Sequence, residues 1–299
     1  MRRRAKSLLA AGLLLFAANA VGAQESPRIV AVNYPLQYFT ERLVSDDTDV
    51  VFPVPKSVDP SFWRPSVADI SMIQSADLVL LNGAGFATWI DRVSLSRSKL
   101  VNTSANIKDQ FIVTQSITHS HGDGGEHSHE GLASYLWLDP TLALSQARTI
   151  ADALTARGLG NANDVAARLE GLEADFEALD VQARATAEAL DGIPLIATHP
   201  RYQYFARRYG LSVSSVAWEP GSMPSDAEIA ELRLLVEQKG AKVLIWEAAP
   251  PEGAFEITAA LGLQNIVFAP LAHGVETGGF FEAYSDALTA LSEASVQKD

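Results

Sequence analysis

Residues 164–190 constrain the rest of the chain more than any other stretch. Apolar side chains at Val165, Leu169, Leu172, Phe176, Leu179, Ala183 and Leu190 recur at helical spacing, which lays them along one stripe of an amphipathic α-helix. Asn163 is placed to cap its start, and Gly192 with Pro194 ends it. At 1.5 Å per residue such a helix is about 40 Å long, enough to span two domains. Gly171 is the one weak helix former inside it.

On either side of this stretch, short apolar runs alternate with helical patterns. Residues 28–33, 50–55 and 76–82 read as strands before it, and residues 193–198, 211–216, 242–246 and 265–269 read as strands after it. Residues 141–156 read as a further helix. Strand, turn and helix in alternation predict parallel α/β sheets, and continuous apolar strands fit sheets covered on both faces. The fold class expected is therefore α/β: two α/β lobes with mainly parallel sheets, joined by a long rigid interdomain helix, with a ligand cleft between them. The boundaries are a leader at 1–23, an N-terminal lobe at 24–160, the interdomain helix at 161–191 and a C-terminal lobe at 192–299. In parallel sheets, ligand groups gather beyond the C-terminal ends of strands. His199, Glu247 and residues 269–273 fall at such ends.

The pattern is interrupted at residues 118–130 by a Gly-rich, acid-flanked segment. It holds His119, His121, His127 and His129, four of the chain's six histidines. Neutral imidazole suits zinc, copper and nickel, and a Gly/Ser backbone lets the rings converge on an ion. The alternative is a solvated low-complexity loop.

The N-terminus has the form of a secretory signal. Arg2, Arg3, Arg4 and Lys6 are followed by an apolar run at 7–20, too short for a comfortable membrane span, and small residues precede Gln24. This predicts export and a mature chain beginning at Gln24. The chain has no cysteine, so it has no disulfide and no lipid attachment point, and any metal is bound through N and O ligands. Loss of the leader takes the formal charge from −13 to −17. That balance argues against nucleic acid and anionic lipid as partners. A soluble periplasmic monomer without a membrane anchor is expected.

In order and spacing the motifs resemble those of the periplasmic zinc- and manganese-binding proteins of metal-uptake ABC transporters, the cluster A-I or TroA-like solute-binding family. The matching residues are Asn33-Tyr34-Pro35-Leu36, Arg64-Pro65-Ser66, Asn82-Gly83-Ala84-Gly85, Trp89, Trp137-Leu138-Asp139-Pro140, Thr198-His199, Tyr204 to Leu211, Pro224-Ser225 and Glu247. The resemblance implies two α/β lobes on a rigid helix, an ion between them, delivery to a membrane permease and no catalysis. Of the four ligand positions it implies, one carries over, as His199. The others hold Ser61, Tyr135 and Ala269.

A single imidazole does not hold zinc tightly, since most sites use three or four protein ligands. Three readings stay open. The loop histidines complete a site anchored on His199; nearby Glu247, His273 or Glu219 supply ligands; or the cleft takes something other than a bare ion. Glu247, ending a strand, suits a role orienting an imidazole more than direct ligation. The third reading draws on aromatic and charged residues expected to line the cleft: Ser61, Trp63, Tyr135, Arg201, Tyr202, Glu219 and Trp246. Trp137 is expected in the core, and Trp218 and Trp246 fit core or cleft equally.

The function expected is capture of a divalent ion, Zn2+ before Mn2+, for an ABC importer; manganese, a harder ion, prefers carboxylates. The alternatives are a binding protein for a metal chelate or small organic cation, and a periplasmic zinc buffer or metallochaperone with no permease. No His-Glu-x-x-His pattern or nucleophile elbow supports an enzyme.

Overall fold

The computed structural model describes residues 26–114 and 131–296. The first lobe has β1 (Arg28–Ala31), α1 (Tyr34–Leu43), β2 (Asp49–Val51), α2 (Val67–Ser75), β3 (Leu78–Leu81) and β4 (Leu100–Asn102), followed by the short strands β5 (Val113–Thr114) and β6 (Gly131–Leu132) and by helix α3 (Pro140–Ala156). Its main sheet is parallel, in the order β2-β1-β3-β4. Helix α4 (Ala162–Leu190) follows. The second lobe comprises β7 (Leu195–Ala197), α5 (Gln203–Tyr209), β8 (Val213–Ser215), α6 (Asp226–Lys239), β9 (Val243–Trp246), α7 (Ala254–Ala259), β10 (Gln264–Val267) and α8 (Phe280–Val296). Its sheet is also parallel, in the order β10-β9-β7-β8. The central strands β1, β3, β7 and β9 are buried almost throughout, as the unbroken apolar runs require of a sheet covered on both faces.

Each strand expected from the sequence is present, shorter than its apolar run. Strand β4 was not expected. The long helix begins two residues earlier than expected: Asn161, not Asn163, is the cap, its side chain accepting from the amides of Asn163 and Asp164. Gly171 lies on the exposed face, where it leaves no packing gap.

Helix α4 buries Val165, Leu172, Phe176, Leu179, Ala183, Thr186 and Leu190. Phe176 meets Phe39 of α1 edge-on at 5.2 Å and Phe281 of α8 at 4.8 Å, and Phe39 meets Phe280 at 5.1 Å. The last helix thus crosses back to close a core shared with the first. Charged anchors follow the same plan. Arg42 of α1 and Arg148 of α3 reach Asp175 and Glu173, both at 2.8 Å. From the second lobe, Arg208 grips Asp180 with two hydrogen bonds, at 2.7 and 2.8 Å, and Tyr209 adds a third at 2.8 Å. Burial works to raise the Asp180 carboxyl, but the bonds from Arg208 and Tyr209 prevail and hold it below its ordinary value.

None of the described helices is long and apolar enough to cross a membrane. Because Phe176 joins α1 to α8, Phe176→Ala should cost about 3–5 kcal/mol, read as a lower urea midpoint at unchanged slope; a loss below about 1 kcal/mol, the range of surface substitutions, would show that this contact does not carry the core.

Candidate functional site

The C-terminal ends of the two sheets meet, and the cleft residues come from the loops that follow β2, β7, β8 and β9 and from the segment before α3. The loop at 59–63 is pinned from below. Trp89 Nε1 donates to the Pro60 carbonyl at 3.1 Å and its ring stands edge-on to Trp63 at 4.9 Å. Asp59 Oδ1 caps the turn by accepting from the Ser61 amide at 2.8 Å. Tyr135 is set by a buried amide network: Asn82 donates to the Ser134 carbonyl at 2.9 Å and is itself held by Asn33 and Gln146. Gly83, next in sequence, has φ +76°, and a Cβ there would lie 2.0 Å from Ser104 Oγ, so the turn that aims Asn82 requires glycine.

His199 follows β7 and is 9% exposed. Its Nδ1 lies 3.0 Å from the Trp218 carbonyl oxygen. A carbonyl can only accept, so Nδ1 carries the proton, and a neutral ring keeps its lone pair on Nε2. Glu247 Oε2 lies 3.7 Å from the same Nδ1. Glu247 was expected to orient the imidazole; the backbone of Trp218 makes that hydrogen bond, and Glu247 adds negative charge beside it.

Arg201 is the centre of the cleft. Its Nη2 donates to Asp59 Oδ2 at 2.7 Å, its Nε lies 3.6 Å from Glu247 Oε1, and its guanidinium lies over the Tyr135 ring, 4.6 Å from the centroid. Asp59 and Tyr135 belong to the first lobe and Arg201 and Glu247 to the second, so the guanidinium is clamped across the cleft. Burial opposes its charge, but the surrounding Tyr135, Glu247 and Asp59 outweigh that and push its pKa up. Burial raises the Glu247 carboxyl, with Asp59 and Glu219 adding to the rise and Arg201 opposing it. Burial also drives the Tyr135 phenol far above its ordinary range. Ser61 Oγ, Arg201 Nε and Glu247 Oε2 are buried without a hydrogen-bond partner among the described residues.

Of the expected site residues, the structure brings together Ser61, Tyr135, His199, Arg201 and Glu247. The others take different places. His273 donates from Nε2 to the Val58 carbonyl at 2.6 Å and packs its ring 5.5 Å from Phe52, which makes it an interlobe fastener. Trp63 and Trp246, expected to line the cleft, are core residues. Trp63 packs under its loop, and Trp246 packs on Trp218 at 5.4 Å with its Nε1 given to Asn265. Glu219 is exposed. Trp137 is fully buried, as expected, and bonds across the lobes to the Pro270 carbonyl at 2.7 Å. His119, His121, His127 and His129 lie outside the described residues. The stems of their segment, β5 and β6, pair antiparallel against Tyr204, whose hydroxyl donates to the Ala133 carbonyl at 2.9 Å and accepts from the Ile112 amide at 3.2 Å. Tyr204 lies in the first turn of α5, three residues after Arg201. Among the described residues, no three His, Asp or Glu side chains form a cage for a metal ion.

Asp59 was the residue not singled out from sequence. Its signal was an acid directly before Pro60 in a strand-end loop. The Trp218 carbonyl, a backbone group, leaves no signal in the sequence.

The chain matches the family of zinc-uptake complex component A periplasmic proteins (ZnuA) over residues 29–294, and it belongs to that family. It is 29% identical to the high-affinity zinc uptake system protein ZnuA of Bacillus subtilis over 235 residues, covering 73% of this chain and 70% of that protein. It is 25% identical to the zinc-binding protein AdcA of Streptococcus pyogenes over 268 residues, covering 85% of this chain and about half, 52%, of that longer protein. The Zn(II)-bound ZnuA-like domain of Streptococcus pneumoniae AdcA superposes with a TM-score of 0.74 at 20% identity, covering 91% of this chain and all of that one, and so shares the fold.

The Trp218 contact fixes an observable. Long-range 1H–15N spectra above pH 8 should show His199 as the Nδ1–H tautomer; an Nε2–H pattern would mean that the carbonyl does not hold the ring.

Proposed function

We propose that this member of the zinc-uptake family is the periplasmic binding protein of an ABC importer, capturing Zn2+ and passing it to a membrane permease. The single observation that carries the reading is the family match across residues 29–294, which takes in both lobes, the helix between them and His199. The mature chain is proposed to start at Gln24, to act as a soluble monomer without an anchor, and to divide into lobes 24–160 and 192–299 about the helix at 161–191.

His199 is the proposed anchor of the ion, and the chemistry supports it. A neutral imidazole whose Nδ1 proton is fixed by a carbonyl presents its Nε2 lone pair, the form in which histidine ligates zinc. One imidazole is too few for tight zinc. His119, His121, His127 and His129 are the proposed remaining donors.

One observation favours a second reading, a metal chelate as cargo. A fixed guanidinium with unpartnered Ser61 and Glu247 atoms beside it would suit the anionic groups of a chelator better than it suits a bare dication.

Calorimetric zinc titration of chelator-stripped protein, with a variant lacking residues 118–130 and with His199→Ala, tests both readings. The zinc reading expects one tight site, lost in both variants and weakening below about pH 6 as the imidazoles take up protons. Affinity that persists without the loop, or down to pH 5, would reject histidine capture and favour the chelate.

A further inference from the structure

We infer that Arg201 is a tethered cation that occupies the cargo cleft in place of the metal, so that an incoming dication must displace it from Glu247. The inference rests on the zinc reading above and adds to it a residue that sets affinity.

Three features of the clamp support it. First, its partners come from both sides of the cleft: Asp59 and the Tyr135 ring from the first lobe, Glu247 from the second. A cation held this way closes the lobes on itself, as a bound ion would. Second, the pairing is incomplete. A buried ion pair kept only for structure needs its remaining hydrogen-bonding capacity met. Here Arg201 Nε makes no hydrogen bond and stops 3.6 Å short of Glu247 Oε1, while Glu247 Oε2 and Ser61 Oγ have no partner among the described residues. One firm bond, to Asp59, tethers the guanidinium; its hold on Glu247 is looser and can be broken. Third, His199 joins this loose end through its protonated nitrogen, Nδ1, 3.7 Å from Glu247 Oε2, and a dication taken up on Nε2 comes to the same cluster from the far side of the ring. The carboxylate beside the proposed ligand is therefore the one that Arg201 neutralises. A dication arriving at His199 meets the guanidinium's positive charge in a poorly solvated space, where like charges repel strongly. Binding zinc means moving Arg201 away from Glu247, and the free energy of doing so is subtracted from the affinity.

The test titrates ZnCl2 into the metal-stripped mature protein as wild type and as Arg201→Gln. The expected result is at least tenfold tighter zinc binding by the variant. Arg201 as a merely structural clamp predicts the reverse, because loosening the cleft would weaken the site; equal or weaker binding by folded R201Q overturns the inference. If R201Q does not fold, wild type labelled with 15N-arginine decides. The Arg201 Nε–H signal should shift at saturating zinc, and a signal that does not move overturns the inference. If neither protein binds zinc, the zinc reading fails on its own account. The displacement of Arg201 by a dication falls with it, because no ion then enters the cleft.

Discussion

The contact of Phe176 with Phe39 and with the Phe280-Phe281 pair fixes where everything else lies. It ties the helix between the lobes to the first helix of the chain and to the last. With α4 held against both α1 and α8, neither sheet can rotate freely about the helix, and the C-terminal ends of β1, β3, β7 and β9 are set facing one another. Those ends carry Asn33, Asn82, His199 and Glu247. An apolar cluster near the middle of the rod thus determines the spacing of polar groups well away from it. The arginines that reach α4 from both lobes work to the same end, though exposed pairs such as Arg148–Glu173 contribute little energy. The Arg208–Asp180–Tyr209 set, less exposed and with more bonds, contributes most among them.

The interface between the lobes is also sewn together through backbone carbonyls. Trp137 donates to Pro270, His273 to Val58 and Tyr204 to Ala133, and Tyr284 on α8 donates to Leu138. Each is a side-chain donor from one segment given to a carbonyl of another, so it satisfies a buried acceptor that the sheets leave unpaired. Such bonds need no complementary side chain, and they bring the lobes close enough for Arg201 to reach Asp59.

The sequence makes the architecture legible wherever one physical cause dominates. Strands β1, β3, β7 and β9 are continuous apolar runs because both faces are covered. Strand β4 is illegible: three residues long, it follows Arg97 and Lys99, and only pairing with β3 makes it a strand. The start of α4 was misplaced because Asn161 and Asn163 are chemically equal as caps, and the difference lies in backbone geometry. For the tryptophans, strand position alone could not say which face each ring takes. Trp246 turns inward because Trp218 and Asn265 wait there. The cleft was legible in part. His199 and Glu247 were placed there by their position after strands, and Tyr135 and Arg201 by the family resemblance, but Arg201 as the centre of the charge balance was not, since a bridge from Asp59 to residue 201 depends on tertiary contact.

Ser61 and Tyr135 stand where the family resemblance implies histidines, and Arg201 lies over the Tyr135 ring and bonds Asp59, whose other oxygen holds the Ser61 amide. These are connected facts. Two neutral imidazoles facing a metal would leave no room for a permanent cation; a serine hydroxyl and a phenol raised far above its ordinary range by burial do. Tyr135 in particular offers Arg201 a ring face that imidazole would not match in area. The guanidinium offsets part of the burial that raises the Glu247 carboxyl, and it holds Asp59 by a direct bond. The departures from the family's ligand set are therefore mutually consistent: loss of fixed imidazoles at Ser61 and Tyr135, and gain of an internal cation at Arg201. Among the described residues, the lobes are left to hold charge balance and shape around one fixed imidazole, His199.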